Sequence, residues 1–252
     1  MAQNIHLSVV IPSYDEMANL QKGVLDKVKS FLDKQSYSYE VIVVDDGSKD
    51  GSEEFVEEFV RENKTFFLIK NQHLGKAGAV TTGVLKSKGD YVLFTDMDQA
   101  TPIEELHKLM PYFQKGYEVV IGSRHGRKGA PWTRRLMAKG MMVLRTAIVG
   151  LKGISDTQCG FKIFQKHAGK RLFQKMYDLH HGYQAVSGSS VAAGFDVEML
   201  FLAQEMGYKI KEVPVAWLYV ESRRVSPVKD SIDALEYLFQ IRMNKSKGIY
   251  SK

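Results

Sequence analysis

Residues 40–48 read Glu-Val-Ile-Val-Val-Asp-Asp-Gly-Ser, a short apolar run that stops at two carboxylates, a glycine and a serine. β-Branched residues followed by turn-forming residues predict a buried strand with a loop at its carboxyl end. The same pattern recurs at residues 7–16, 91–98 and 118–124, and stretches with helical apolar spacing separate these strands. Strands and helices in alternation predict an α/β fold, with a mostly parallel sheet and helices on both of its faces.

The spacing of apolar residues also assigns individual elements. The predicted strands cover residues 7–11, 40–44, 66–69, 91–94, 118–121, 161–164 and 209–219. The predicted helices cover residues 19–31, 77–85, 132–152, 195–206 and 231–243, with further helices through Val56, through Ile103–Phe113 and after Phe164. Pro214 lies inside the last predicted strand and has no N–H to donate, which places that strand at an edge of the sheet.

The composition excludes several classes of protein. The chain has 252 residues, of which 44% are hydrophobic and 25% charged, so a disordered or collagen-like chain is excluded. Cys159 is the only cysteine, which excludes an internal disulfide and suits a reducing compartment. The amino terminus lacks the features of a secretory signal, and no apolar run reaches about 18 residues, so we expect no transmembrane helix.

The net charge of +6 is distributed unevenly along the chain. Residues 1–118 carry 19 acidic and 13 basic side chains, whereas residues 119–155 carry 8 basic side chains and no acidic one. This asymmetry favours an anionic partner for the second half of the chain. A solvated cationic helix face is the competing interpretation.

Two carboxylates follow the strand predicted at 91–94. Asp96 and Asp98 stand one residue apart in a turn, a spacing at which both can approach one divalent cation. Such a cation would clamp a diphosphate and neutralise it as a leaving group. Asp98 and Thr101 would equally suit a turn or a cap for a helix that begins at Pro102.

Two further motifs admit both a functional and a structural interpretation. Asp45 and Asp46 could accept hydrogen bonds from a nucleobase or ribose, or could simply form a turn. Gly75-Lys76-Ala77-Gly78 opens a helix, where backbone N–H groups and a lysine favour an anion such as phosphate. Because ligands bind at the carboxyl ends of strands in such sheets, we expect these motifs to face one crevice.

The order of the motifs is more specific than any one of them. Pro-x-Tyr-x-Glu, Asp-Asp-Gly-Ser, Gly-Lys-x-Gly, Asp-x-Asp and Gly-Ser-Arg follow one another between residues 12 and 124. This order resembles the family 2 glycosyltransferases, which bind a nucleotide sugar on a Rossmann-like GT-A fold. The dinucleotide fingerprint Gly-x-Gly-x-x-Gly is absent after the first strand, which argues against a nicotinamide dehydrogenase.

The second half of the chain narrows the resemblance. The stretches at 134–140, 156–162, 195–198 and 212–217 resemble the polyprenyl-phosphate glycosyltransferases, and most closely the dolichyl-phosphate β-glucosyltransferases. The chain departs from these relatives at Met97, where they usually carry a small residue. It also has Ala100 where the mannosyltransferases often have a glutamine, with Gln99 one position earlier.

The resemblance implies a donor and its binding residues. UDP-glucose is the expected donor, with GDP-mannose or another nucleotide sugar as the alternative. Asp96 and Asp98 are expected to hold Mg²⁺ or Mn²⁺. The residues expected to contact the nucleotide sugar are Pro12, Tyr14, Glu16, Asp45, Asp46, Lys76 and Asp96.

The resemblance also implies a polyprenyl or dolichyl monophosphate as the acceptor. Its phosphate is expected to meet Arg124, Arg134 and Arg135, with Arg223 and Arg224 behind them, because arginine can bind phosphate bidentately. Asp156 matches an aspartate of the family and is expected to act in catalysis or in acceptor positioning; Asp196 could do the same, or could cap a helix. The expected catalytic residues are thus Asp98, Asp156, Arg124, Arg134 and Arg135.

The predicted helix at 132–152 mixes basic and apolar residues. Arg135, Lys139 and Arg145 alternate with methionine, leucine and isoleucine, a pattern typical of a helix that lies on anionic lipid. A core helix with a basic rim has the same composition, and both interpretations stay open.

These inferences combine into one expected enzyme. Residues 1–220 are expected to form the GT-A catalytic domain, with a nucleotide-sugar and metal part at 1–122 and an acceptor part at 123–220. Residues 221–252 would add an acceptor loop and helix. The enzyme would transfer glucose with inversion, as a peripheral protein on the cytoplasmic face of a membrane.

The sequence also bears on other partners and functions. We expect no nucleic-acid partner, while a homo-oligomer or a membrane-protein partner stays open. The competing functions are a membrane-surface or nucleic-acid-binding protein that uses only the basic segment, and an inactive glycosyltransferase fold that acts as a scaffold.

Overall fold

The computed structural model of the chain describes residues 5–124, 132–186, 194–218 and 227–251, and at 132–139, 141, 227–234 and 251 it describes the backbone only. The described part contains one sheet of seven strands. The strands are β1 (Leu7–Ser13), β2 (Tyr39–Asp45), β3 (Phe66–Lys70), β4 (Tyr91–Thr95), β5 (Val119–Ser123), β6 (Phe161–Gln165) and β7 (Ile210–Pro214). The helices are α1 (Met17–Leu20), α2 (Val24–Leu32), α3 (Ser52–Glu62), α4 (Gly75–Lys86), α5 (Leu106–Leu109), α6 (Trp132–Val149), α7 (Lys166–Leu179), α8 (Phe195–Glu205) and α9 (Pro227–Ser246).

The sheet is mostly parallel, as the sequence predicts. Its strand order is β3-β2-β1-β4-β6-β5-β7. β6 alone runs antiparallel to its neighbours β4 and β5, and the other paired strands are parallel. β7 lies at one edge of the sheet, which confirms the position predicted from Pro214.

Alternate side chains of the central strands enter two separate cores. Val9, Val41 and Val43 pack with apolar residues of α1, α2, α3 and α5 on one face. Val10, Ile42 and Val44 pack on the other face with apolar residues of α4, α6, α7, α8 and α9. Because strand side chains alternate between faces, this two-sided burial requires apolar residues at every position, as the sequence of β2 supplies.

Two predicted helices differ from the observed ones. The helix predicted at 19–31 is divided into α1 and α2 by Gly23, whose φ of 71° lies in the left-handed region and cannot continue a right-handed helix. The helix predicted through 103–113 is α-helical only over α5, and 3₁₀ turns flank it at Ile103–Glu105 and Met110–Lys115. Pro111 has no N–H to donate, which disfavours the α-helical continuation.

Among the described residues, no helix is both long enough and apolar enough to cross a lipid bilayer.

The last predicted strand is shorter than expected, because β7 ends at Pro214. The stretch 178–193 is described only as far as 186, and α7 extends into it as far as Leu179.

Candidate active site

The polar motifs lie at one edge of the sheet. β1, β2, β4, β5 and β7 run in the same direction, so their carboxyl ends share this edge. β6 runs the opposite way, and its amino end therefore brings residues 158–160 to the same place. The predicted common edge for the strand-end motifs is thus observed.

The loops after β1 and β2 are joined by hydrogen bonds. The Asp46 N–H donates to the Ser13 carbonyl at 2.8 Å, and the Asp15 N–H donates to Ser48 Oγ at 2.9 Å. In return, Asp15 Oδ1 accepts from the Lys49 N–H at 2.8 Å. Asp15 has a φ of 52°, a left-handed conformation that aspartate tolerates in turns. The two loops therefore form one unit beside the cleft.

Asp45 is buried and only half satisfied. Its Oδ2 accepts from the N–H groups of Gly47 and Ser48, each at 3.0 Å, as the turn interpretation predicts. Its Oδ1 has no hydrogen-bond partner, and neither has Ser13 Oγ, which lies across the β1–β2 register. A buried acceptor without a partner costs about 1–3 kcal/mol, so Asp45 Oδ1 is a candidate acceptor for a ligand N–H.

Asp46 is held by the start of α4. Its carboxylate accepts from the N–H groups of Leu74 at 2.8 Å and Gly75 at 2.7 Å, and lies 3.0 Å from His73 Nδ1. Burial raises the pKa of this carboxyl despite these hydrogen bonds. The anion bound at the start of α4 is therefore Asp46 of the same chain, whereas the sequence suggested a phosphate there.

The remaining residues predicted to bind the nucleotide lie around these loops. Tyr14 stacks on His73 with ring centroids 4.1 Å apart, and Glu16 accepts a hydrogen bond from Asn19 at 2.6 Å. Pro12 lies within β1, opposite Val44 of β2. Tyr14 is thus linked to Asp46 through His73, Pro12 lies next to Asp45 in the sheet, and Glu16 lies in the loop after β1.

A cleft of about 170 Å³ opens next to this unit. It brings together Asp96 and Asp98 from the loop after β4 and Arg124 from the loop after β5. The cleft is lined by Thr95, Asp96, Asp98, Ala100, Thr101, Arg124, Gln158, Gly160 and Trp217. Residues far apart in the sequence thus share one pocket with both carboxylates of the Asp-x-Asp motif.

Asp96 is already paired with a cation of the chain. Lys76 Nζ lies 2.7 Å from Asp96 Oδ1. Burial alone would lower the pKa of Lys76, but the carboxylates of Asp96 and Asp196 outweigh it and raise the pKa. A Cβ on Gly160 would come within 1.8 Å of Asp96 Oδ2, so only glycine permits this approach of Asp96 to the 160 backbone.

Asp98 lines the cleft and also accepts a hydrogen bond within its own turn. Its Oδ1 accepts from the Ala100 N–H at 2.9 Å, which is the turn geometry considered from the sequence. It does not cap a helix, because the following 3₁₀ turn has Pro102 at its N-cap and no side-chain cap. Burial, followed by the negative charge of Asp96, raises the pKa of Asp98.

The donor atoms of this pair fit a hard divalent cation. Carboxylate oxygens are the ligands that Mg²⁺ and Mn²⁺ prefer, and a bound cation would offset the repulsion between Asp96 and Asp98. Over residues 5–124, 132–186, 194–218 and 227–251, no group of three or more His, Cys, Asp or Glu side chains is arranged to hold a metal.

Met97 and Gln99 stand at two positions where the sequence departs from its relatives, and the side chains of both lie outside the cleft. Met97 is 2% exposed and packs in the core on the α2 and α5 face, so its bulk does not enter the cleft. The Gln99 amide donates to Thr95 Oγ1 at 3.1 Å and to the Asp96 carbonyl at 2.9 Å. Gln99 is therefore turned back toward β4 and is absent from the cleft wall.

Arg124 and Asp156 form an ion pair with two hydrogen bonds from the guanidinium. Arg124 donates from its backbone N–H, from Nε and from Nη2 to the Asp156 carboxylate, at 2.9, 2.7 and 2.7 Å. Burial would raise the pKa of Asp156, but the hydrogen bonds and charge of Arg124 outweigh it and lower the pKa to about 2. The guanidinium also lies over the ring of Trp217, another residue that lines the cleft, at 5.9 Å from its centroid.

For Asp196 and for Arg145, the structure argues against one of the two interpretations that the sequence left open. Gly194 is the N-cap of α8, so Asp196 does not cap it; instead Asp196 Oδ1 lies 2.5 Å from the fully buried Lys162 Nζ. Arg145 is 8% exposed, which favours the core position over the lipid-facing one for this residue. It stands four residues before the buried Val149, and this helical spacing is the sequence signal that places it inward.

Four predicted residues receive no side-chain description. Arg134 and Arg135 lie on α6, where the backbone alone is described, and Arg223 and Arg224 lie outside the described residues.

A contact that the sequence did not predict involves the stretch 178–193. His180 Nε2 lies 2.7 Å from Oε2 of the buried Glu198 on α8.

Comparisons with known proteins agree with this geometry. Residues 8–191 match the family described as glycosyl transferase family 2. The chain is 33% identical over 264 residues to a dolichyl-phosphate beta-glucosyltransferase of Dictyostelium discoideum, covering 98% of this chain and 77% of that protein. It is 32% identical to the human protein of the same name, covering 97% of this chain and 77% of that one.

A solved structure supports the fold. A mannosyltransferase from Pyrobaculum calidifontis in complex with GDP-Man and Mn²⁺ superposes with a TM-score of 0.65 at 20% identity, over 98% of this chain and 65% of that chain. At this level of identity the likeness establishes the GT-A architecture, in agreement with the predicted fold class.

Proposed function

The chain belongs to glycosyl transferase family 2, and we propose that it transfers glucose from UDP-glucose to the phosphate of a dolichyl-type polyprenyl lipid, with inversion at the sugar. The observation that carries the proposal is the single cleft shared by Asp96, Asp98 and Arg124. It offers a carboxylate pair for a metal-bound diphosphate and an arginine for a second phosphate. The names of the relatives, dolichyl-phosphate beta-glucosyltransferases, support the choice of sugar and acceptor.

In this proposal the donor is bound by the first part of the chain, residues 1–122. The orphaned Asp45 Oδ1 is suited to accept from a base N–H, and Tyr14 with His73 offers an aromatic surface beside it. Asp96 and Asp98 would hold Mg²⁺ or Mn²⁺, which would neutralise the leaving diphosphate when bound. Lys76, now paired with Asp96, lies close enough to the same place to contact a diphosphate oxygen.

The acceptor is bound by residues 123–220 and, in this proposal, by the loop and helix that follow. A phosphate monoester has a second pKa near 6, so it is mostly dianionic at neutral pH and needs little help from a general base. One of its oxygens attacks C1 of glucose, the bond from C1 to the diphosphate oxygen breaks, and UDP leaves with the electron pair. Arg124 would reduce the repulsion between the two anionic groups as they approach.

Asp156 acts as a positioning residue in this scheme. Its pKa of about 2 keeps it ionised at neutral pH, and Arg124 occupies its carboxylate from three donor groups. A carboxylate in that state is a poor proton acceptor. We therefore assign Asp156 to the orientation of Arg124 and not to proton transfer.

Because the proposed acceptor is a lipid, the enzyme has to reach it at a membrane surface. We propose that the protein attaches peripherally to the cytoplasmic face of that membrane. α6 and α9 pack together and each exposes large apolar side chains. These are Val143 and Leu144 on α6, and Phe239 and Met243 on α9. The basic residues between 119 and 155 would add attraction to anionic lipid.

Two measurements test the proposal. A thermal-shift panel with UDP, GDP, UDP-sugars and Mn²⁺ should give the largest stabilisation with UDP-glucose and Mn²⁺ together. Radiolabelled UDP-glucose and dolichyl phosphate should then yield a chloroform-extractable labelled product. Stabilisation by GDP alone would favour mannose transfer, and the absence of lipid product from every nucleotide sugar would refute lipid-phosphate glycosylation.

A further inference from the structure

Arg145 makes contacts that no role at a lipid surface would explain. Its Nη1 donates to Thr157 Oγ1 at 2.9 Å, and its Nη2 donates to the Ile154 carbonyl at 2.5 Å. Nη2 also lies 3.4 Å from the Ser155 carbonyl. The side chain is thus an interior donor from α6 to the loop 154–157, and burial lowers its pKa.

Glu212 of β7 binds the same loop through its N–H groups. Its Oε1 accepts from the Asp156 N–H at 2.7 Å and from Ser155 Oγ at 2.8 Å. Its Oε2 accepts from the Ser155 N–H at 2.9 Å. A carboxylate therefore binds the donors of this loop, while the guanidinium of Arg145 binds its acceptors.

The loop held in this way presents Asp156 to Arg124. Hydrogen bonds from Nε and Nη2 of Arg124 orient the guanidinium, which lines the cleft and lies over Trp217. The Arg124 backbone N–H adds a third bond to the same carboxylate. A free arginine side chain samples many rotamers, and a catalytic charge contributes most when its support holds it in one of them. The orientation of Arg124 thus depends on groups that do not touch the cleft.

We propose that Arg145 and Glu212 are positioning residues that hold Arg124, through Asp156, in the orientation that receives the acceptor phosphate. The inference rests on the proposed function, since it takes Arg124 as the residue that meets this phosphate. Glu212 lies on β7, Arg145 on α6 and Asp156 in the loop before β6. Three separate segments of the chain thus hold Arg124 in place.

Trp217 provides a test of the geometry that needs no substrate. The chain has two tryptophans, so a Trp132→Phe background leaves Trp217 as the fluorescent reporter of the nearby guanidinium. Arg124→Met should shift its emission, and Arg145→Met and Glu212→Gln should shift it in the same direction. Arg145→Lys, which keeps a cationic donor, should return part of the shift. Arg171→Met, at an exposed arginine of α7, is the matched control and should leave the emission unchanged.

Binding separates acceptor positioning from a general structural role. In isothermal titration with farnesyl phosphate, we expect Arg145→Met and Glu212→Gln to weaken binding about tenfold, with UDP and Mn²⁺ affinity within about twofold of wild type. Circular dichroism melting confirms that each variant is folded, and the milder Arg145→Lys keeps the test open if Arg145→Met unfolds.

The outcomes distinguish the positioning role of Arg145 and Glu212 from the acceptor role of Arg124. Unchanged Trp217 emission in Arg145→Met and Glu212→Gln, beside a clear shift in Arg124→Met, would overturn the positioning role. Equal weakening of both ligands would also overturn it, because it would indicate general loosening. If Arg124→Met binds farnesyl phosphate as well as wild type does, the proposed acceptor role of Arg124 fails, while the emission shifts still decide whether the loop orients Arg124.

Discussion

The two halves of the cleft hold their charged side chains by different means. In the half proposed to bind the donor, Asp45, Asp46 and Asp98 accept hydrogen bonds from backbone N–H groups of turns and of a helix start. In the half proposed to bind the acceptor, charged side chains also hold one another, as in the pairs Arg124–Asp156 and Lys162–Asp196, while Arg145 and Glu212 bind the backbone of the loop 154–157. The Lys76–Asp96 pair is an ionic contact on the donor side, at the place where a metal is proposed.

This difference predicts how each half responds to mutation. A carboxylate held by a backbone N–H can be replaced by an amide that accepts the same hydrogen bond, so charge can be removed with little change in structure. Removing one partner of a buried ion pair leaves the other charge unsatisfied. Donor-half substitutions should therefore separate chemistry from folding, whereas acceptor-half substitutions should affect both.

The largest effect is expected from Asp98→Asn, and it should fall on catalysis alone. The amide oxygen can still accept from the Ala100 N–H, but the negative charge that is proposed to bind the metal is lost. We expect transfer to lipid phosphate to fall about 10³-fold or more. Product formation and Mn²⁺ binding by titration calorimetry measure the loss, and the melting temperature should stay within about 2 °C of wild type. Unfolding of this variant would remove the proposed distinction between the two halves.

Lys162→Met should instead reduce stability. The ammonium is fully buried and donates to Asp196 Oδ1 at 2.5 Å and to the Cys159 carbonyl at 2.6 Å. Its removal should lower the free energy of unfolding by about 3–5 kcal/mol, measured by urea denaturation. Lys86→Met, at an exposed position, should cost less than about 0.5 kcal/mol.

A second variant sharpens this result. Combining Lys162→Met with Asp196→Leu removes both buried charges and should restore most of the lost stability. A loss below about 1 kcal/mol in Lys162→Met would contradict the view that ion pairs hold the acceptor half together.

Acid should act on the two halves in opposite directions. The folded-state pKa of Asp156 is about 2, below the ordinary 3.8, so its ionised form stabilises the fold above that ordinary value. This contribution, about 2 kcal/mol, is lost as the pH falls through 2. The difference in unfolding free energy between wild type and Asp156→Asn should therefore shrink between pH 6 and pH 2.

Asp46 supplies the contrast. Burial raises its folded-state pKa above 3.8, so its ionisation opposes folding above that pH and protonation removes this penalty. Stability relative to Asp46→Asn should consequently increase as the pH falls from 6. Parallel behaviour of Asp46 and Asp156 would contradict the different environments assigned to them.

The smallest expected effect is a loss of stability at rising pH, and it comes from the pair His180–Glu198. The hydrogen bond to Glu198 raises the pKa of His180 above 6.5. Burial acts to raise the pKa of Glu198, but the hydrogen bond and charge of His180 outweigh it, so that pKa lies below 4.5. The charged pair thus stabilises the fold between these values, and its contribution falls as the pH rises through the folded-state pKa of His180.

His180→Gln should remove this pH dependence. We expect wild type to lose about 1 kcal/mol relative to the variant as the pH rises from 6.5, measured by denaturation at several pH values. His181→Gln, at the exposed neighbour, is the matched control and should keep the wild-type profile. Because Glu198 also accepts from Tyr237 at 2.8 Å and Tyr250 at 2.7 Å, the pair contributes to the attachment of the C-terminal helix.

Local sequence patterns predicted the parts of the site that depend on chain direction. Asp96 and Asp98 follow β4, and Asp45 ends β2 with Asp46 directly after it, so parallel strands suffice to place them at one edge. The predictions stayed open where a side chain's partner is distant in sequence. The composition of the helix around Arg145 left a lipid-facing and a core position open, because the partners that decide between them lie 9 to 12 residues further along the chain.

By itself, the sequence determined the alternating strands, the order of the motifs and the family to which the chain belongs. These follow from periodicity and from residue types at fixed spacing, which act over a few positions. Only the tertiary structure decided that Asp46 occupies the start of α4, that Asp156 holds Arg124, and that Glu212 and Arg145 bind one loop. The reason is physical: a buried charge must find an opposite charge or hydrogen-bond partner wherever the fold brings one, and no local pattern records which distant residue that is.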